Sequence, residues 1–95
     1  LYVSPCEVEG VLVSHAAVLE AAVVGDEDED KLIKPRAYVV LVDSSQASSE
    51  LVEDLKEYVK SKLAPFKYPR WIEFVDELPK TATGKIQRFK LRQRT

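Results

Sequence analysis

The tightest constraint on how this chain folds is the run Arg36-Ala37-Tyr38-Val39-Val40-Leu41-Val42. From Ala37 to Val42 no polar residue intervenes, so the run has no face to offer water. It reads as a strand in the centre of a sheet, with structure covering it above and below. A second strand is expected over residues 17–24, ended by Gly25, and a third over residues 70–76, where Trp71, Ile72, Phe74 and Val75 supply both faces. Asp26-Glu27-Asp28-Glu29-Asp30 places five acids side by side; their repulsion is expected to keep them out of the sheet, in a loop or hairpin tip. They lack the alternating spacing and central glycine of a calcium loop, so no metal site is assigned.

Helices are expected between and around these strands. Ser4-Pro5-Cys6-Glu7 has the form of a capping box, with Ser4 as N-cap, Pro5 at the first helical position and Glu7 three residues past the cap. Val3 and Val8 are placed to close a hydrophobic staple, and Val8, Val11 and Leu12 continue the helical spacing to about His15. A second helix is capped by Ser48 or Ser49 and carries Leu51, Leu55, Val59 and Leu63 as one apolar stripe, stopping before Pro65. A short basic helix is expected over residues 86–94 after a polar loop. The order helix, strand, strand, helix, strand, loop, helix predicts an α+β domain: a small three-stranded sheet packed with helices.

Ninety-five residues with 45% hydrophobic and 32% charged side chains suit one folded domain and exclude a disordered tail. The longest apolar run falls far short of the roughly 20 residues that cross a bilayer, so no membrane partner is expected. Cys6 is the single cysteine and no charged-then-apolar leader opens the sequence, which together point to a reducing, cytoplasmic setting. The chain has no methionine and starts at Leu1 in mid-pattern, leading to the expectation that it is a piece of a longer polypeptide. Charge is unevenly spread: residues 1–65 carry 6 basic and 13 acidic side chains, residues 66–95 carry 8 and 3. The basic end is either a solvated helix or a surface that meets an anion.

Pro79-Lys80-Thr81-Ala82-Thr83-Gly84-Lys85 holds the first chemical candidate. It is no nucleotide P-loop, because Pro79 replaces the first glycine and Ile86 follows the lysine where a magnesium-binding hydroxyl is required. A glycine immediately before a lysine still projects a mobile ammonium, although a surface lysine at a helix start has the same pattern. His15 reads as a capping or surface imidazole at a helix end, and Cys6 as structural or incidental.

Residues 79–88, Pro-Lys-Thr-Ala-Thr-Gly-Lys-Ile-Gln-Arg, resemble the last signature motif of the adenylate-forming enzymes: acyl-CoA synthetases, peptide-synthetase adenylation domains and luciferases. Val3-Ser4-Pro5-Cys6-Glu7-Val8-Glu9 resembles the end of their hinge motif, and residues 17–25 and 34–39 fit the strands between. The resemblance covers essentially the whole chain, and residues 30–37 are similar to benzoate-type aryl-CoA ligases. It implies the small C-terminal lid domain of such an enzyme, residues 1–95, with the large N-terminal adenylation domain upstream as its partner.

The resemblance also implies chemistry. Such enzymes join a small carboxylic acid to ATP with Mg2+, then pass the acyl group to coenzyme A, the lid rotating between steps. Lys85 matches the family's lysine that neutralises the phosphoryl oxygens in the first step, and Gly84 gives its loop freedom. Residues 66–70 match the stretch near the nucleotide end of coenzyme A: Phe66 or Tyr68 to stack on adenine, Lys67 or Arg70 to pair with phosphate. Arg88, Lys90 and Arg92 are expected to be solvated surface. A lysine acetyltransferase acting on Lys85 would silence the first step by removing its charge. Two other readings stand beside this one: a lid serving a carrier protein, and a stand-alone nucleic-acid module, against which the net charge of −2 counts.

Overall fold

The apolar run forms the middle strand of a three-stranded sheet in the computed structural model, which describes residues 5–63 and 67–92. Helix α1 (Pro5–Val13) leads into strand β1 (Val18–Glu27), which turns back into β2 (Ile33–Leu41). A 3-10 turn (Ser44–Gln46) precedes helix α2 (Ser49–Lys62); strand β3 (Trp71–Phe74) and helix α3 (Arg88–Arg92) complete the order. β1 and β2 pair antiparallel, β2 and β3 parallel, in the order β1-β2-β3. The parallel pair follows from the crossover through α2, since parallel neighbours cannot be joined by a tight turn. The expected α+β class and element order therefore hold.

The two faces of β2 are covered as the run demands. Ala37 and Val39, with Ala21 and Val23 of β1, pack against Val8 and Leu12 of α1 and Leu55 and Val59 of α2. Tyr38 and Val40, with Ala22 and Val24, pack against Leu78 and Leu91, with Val75 and Ile86 alongside. One face thus carries two helices, and the other carries the chain that follows β3. Tyr38 is the largest fully buried side chain, its hydroxyl 3.5 Å from the Leu91 carbonyl.

Several boundaries differ from expectation: β2 opens at Ile33, three residues before the apolar run, and α3 opens at Arg88, two residues after its expected start at Ile86. β1 does not end at Gly25: it continues to Glu27, so Asp26 and Glu27 sit inside the sheet. Arg36 makes this tolerable, donating from Nε to Asp26 Oδ2 at 2.7 Å while its guanidinium lies 4.6 Å from the centre of the Trp71 ring. A Cβ at Gly25 would lie 2.8 Å from Ile33 Cγ2, so a larger residue there would have to push the exposed Ile33 side chain aside. The hairpin tip is Asp28 to Leu32: Asp28 Oδ1 accepts the Asp30 and Leu32 backbone N–H groups at 2.8 and 3.0 Å, and Lys31 is left-handed at φ 63°. The Leu32 N–H first, then that of Asp30 and the nearby charges of Lys34 and Arg70, hold the Asp28 carboxyl below its ordinary range.

α1 stops at Val13, two residues early, in a tighter last turn where Ser14 and His15 donate to Val11 and Leu12. His15 Nδ1 accepts the Ala17 N–H at 3.0 Å and its ring meets Tyr58 edge-on at 4.9 Å, so the imidazole holds the turn that follows the helix and docks it on α2, without capping the helix carbonyls itself. Ser48 is the cap of α2, its Oγ accepting the Leu51 N–H at 3.0 Å. β3 is limited to residues 71–74, although Arg70 and Val75 each donate one further bond to β2. The capping and staple roles expected of Ser4 and Val3 lie outside the described residues.

Candidate functional site

The polar loop after β3 is a closed hairpin. Lys80 and Ile86 bridge across it, Thr81 N–H donates to the Lys85 carbonyl at 2.8 Å, and Gly84 N–H donates to the Thr81 carbonyl at 2.9 Å. The Thr81 hydroxyl accepts the Lys85 N–H at 3.1 Å. Gly84 has φ 89°, the left-handed region that lets a short hairpin turn close. Because nothing lies within 4 Å of a Cβ built there, the glycine serves the backbone angle and no tight packing. Lys85 therefore stands on a defined turn, exposed, and forms no ion pair with any described residue.

The flanks of the hairpin are anchored to the rest of the domain. Before it, Leu78 is buried in the second core cluster and Lys80 forms an ion pair with Glu20 on β1. After it, Ile86 packs on the same cluster, Gln87 N–H donates to the Pro79 carbonyl at 2.8 Å, and Arg88 donates Nε to Glu9 Oε2 at 2.8 Å. The terminal nitrogen of Arg88 also pairs with Glu9 Oε1, making a two-pronged contact. Glu9 additionally accepts the Val23 N–H at 2.7 Å. Hydrogen bonding to Glu9 pushes the Arg88 guanidinium pKa further up, opposed in part by burial. Arg88 is thus part of a structural junction, which corrects its reading as solvated surface; Lys90 and Arg92 are exposed, as expected.

The expected coenzyme A segment is less unified. Lys67 Nζ pairs with Glu7 on α1 at 3.2 Å, whereas Arg70 pairs with Glu29 at the hairpin tip at 3.1 Å. Tyr68 packs on the main core, with the Lys60 ammonium 4.3 Å from its ring centre. The two cations are therefore drawn to different elements, and one face of the ring is already occupied. Phe66 lies outside the described residues. Among the described residues no group of acids, histidines or cysteines is placed to hold a metal ion, and no helix is long and apolar enough to cross a membrane. Cys6 is free and exposed.

The family model for the AMP-binding enzyme C-terminal domain matches residues 7–85, a span that opens on Glu7 and closes on Lys85. The chain belongs to this family. A benzoate–CoA ligase of Thauera aromatica is 70% identical over 97% of this chain, and a 4-hydroxybenzoate–CoA/benzoate–CoA ligase of Rhodopseudomonas palustris is 53% identical over all of it. Among solved structures, a benzoate CoA ligase from Burkholderia xenovorans LB400 superposes with a TM-score of 0.88 at 66% identity over 97% of the chain. The chain spans 18% of the length of both curated relatives and 19% of that crystallised chain. The sequence motif singled out Gly84 and Lys85, and the structure places both on the hairpin after β3. The acids that anchor the loop, Glu9 and Glu20, were missed, since a pair separated by 60 or 79 positions leaves no local pattern.

Proposed function

We propose that this chain is the mobile C-terminal lid of an AMP-forming acid–CoA ligase of the benzoate or aryl type, and that Lys85 is its adenylation lysine. The single observation that carries the proposal is an exposed ammonium, free of any described carboxylate, immediately after the turn of a hairpin whose flanks are anchored. In adenylation a carboxylate attacks the α-phosphate of ATP and expels pyrophosphate; two anions must meet and charge grows on the phosphoryl oxygens. Lys85 is a compact point charge able to bridge them. Magnesium, bound to the nucleotide by the large domain, would neutralise the remaining phosphates. Removing Lys85 by domain rotation then vacates the site for the thiol of coenzyme A, which attacks the acyl-adenylate and releases AMP.

For the coenzyme A contact the reading keeps Phe66, Lys67, Tyr68 and Arg70, with a condition set by the geometry. Arg70 meets a phosphate only by exchanging Glu29, and Lys67 only by exchanging Glu7. Both are surface ion pairs, worth about 0–1 kcal/mol, so a multiply charged phosphate competes with them. Acetylation of Lys85 by an acetyltransferase, and a cytoplasmic location, belong to the same proposal. The names of the relatives favour coenzyme A over a carrier protein or a nucleic acid as the partner.

The full-length polypeptide containing this chain, given ATP, Mg2+, benzoate and coenzyme A, is expected to yield AMP, pyrophosphate and benzoyl-CoA. Pyrophosphate release without a coenzyme A thioester, restored only by a carrier protein, would overturn the assignment.

A further inference from the structure

The carboxylate of Glu9 is the most enclosed acid among the described ion pairs, its side chain 12% exposed. It lies on α1 and meets two elements at once. Oε2 accepts the N–H of Val23 on β1, a strand that pairs only with β2 and so has one unpaired edge. Both oxygens also accept from Arg88, three residues beyond Lys85. α1 packs on one face of the sheet and the chain after β3 packs on the other, so this contact wraps the β1 edge and ties the two layers together. A two-pronged arginine–carboxylate contact fixes angle as well as distance, which a lysine at the same place does not.

From this junction we propose that Glu9 is a positioning residue for adenylation: through Arg88 it fixes the segment carrying Lys85 to α1 and to the edge of β1. Helix α1 and the Lys85 hairpin then turn as one rigid body, and the ammonium arrives at a set place relative to the hinge end of the domain. The inference rests on the role proposed above for Lys85. A displacement of about 1 Å at a group that must bridge reacting oxygens costs on the order of 10²-fold in rate.

Glu9→Gln tests the idea cleanly, because the amide oxygen still accepts the Val23 N–H while the charge that orients Arg88 is gone. Two half-reactions are measured in the full-length enzyme: acid-dependent pyrophosphate exchange, and thioester formation from supplied benzoyl-adenylate. Glu9→Gln is expected to lower adenylation kcat by roughly 10- to 100-fold with KM for ATP and acid within about twofold, and to leave the thioester step within about twofold. Arg88→Lys, which keeps the charge and loses the fork, is expected to show the same split with a smaller loss. In a Lys85→Ala background Glu9→Gln should add nothing, since it acts through a group already removed.

Equal losses in both half-reactions, multiplying losses in the double variant, or full adenylation by both Glu9→Gln and Arg88→Lys would each overturn the positioning role. If Lys85→Ala is crippled while both of those variants run at full speed, only the positioning role falls. If Lys85→Ala adenylates normally, the Lys85 reading falls and takes this inference with it.

Discussion

Gly84 and Lys85 divide one task between backbone and side chain. The glycine adopts φ 89°, where any other residue is strained, and so turns the hairpin that presents the ammonium. Gly84→Ala meets no steric obstacle but pays the left-handed backbone penalty of about 1–2 kcal/mol. Because the hairpin is exposed, that penalty is expected to open the loop locally and leave the unfolding transition of the domain nearly unchanged. Amide hydrogen exchange at Thr81 and Gly84 checks this: faster exchange there with a constant melting temperature is the expected result, and unchanged exchange contradicts it. Gly84 and Lys85 could be singled out in the sequence because they lie side by side in one contiguous motif, and the structure places both on the same hairpin. The partners that hold them could not, since Glu9 sits on the flank of α1 beside the core residue Val8 and shows no periodicity of its own.

At the scale of the element, the strongest periodic signals translated directly. The stripe Leu51, Leu55, Val59 and Leu63 became the buried face of α2, with Leu55 and Val59 fully enclosed. Leu55→Ala is expected to cost about 2–5 kcal/mol, seen as a lower denaturant midpoint with an unchanged slope. The hairpin between β1 and β2 was read less well. Like-charge repulsion argued the acids out of the sheet, yet Asp26 pairs with Arg36 and Asp28 collects backbone donors, so position along the turn outweighed net charge.

That geometry has a pH signature. Asp28 and Asp43 both have lowered carboxyl pKa values, Asp28 chiefly through the Leu32 N–H and Asp43 through the hydroxyl and N–H of Ser45. The stability they contribute is complete above the ordinary value of 3.8 and is lost as pH falls through their lower folded values. Carboxyl NMR titration is expected to place both below 3.8, and a value at or above it for either would contradict the turn described.

Across the whole molecule, the charge imbalance of the sequence is largely resolved inside the fold. Lys67, Arg70, Lys80 and Arg88, all from the basic final third, pair with Glu7, Glu29, Glu20 and Glu9 of the acidic first two thirds. The excess of positive charge after residue 65 therefore describes how the chain closes on itself more than what it binds. Lys85, Lys90 and Arg92 are left without ion pairs among the described residues, and of these only Lys85 stands on the hairpin, beside its turn. Under the proposed function the lid supplies one charge to chemistry housed in the large domain, and the 95-residue chain alone is then expected to show no ATP-dependent acid activation.

The most direct measurement is the pair of half-reactions of the full-length enzyme carrying Lys85→Ala. Adenylation is expected to fall by about 10²–10³-fold, the scale of losing one oriented transition-state partner, while thioester formation from supplied acyl-adenylate stays near the parent rate. An equal fall in both, or no fall in adenylation, would contradict the role given to this lysine.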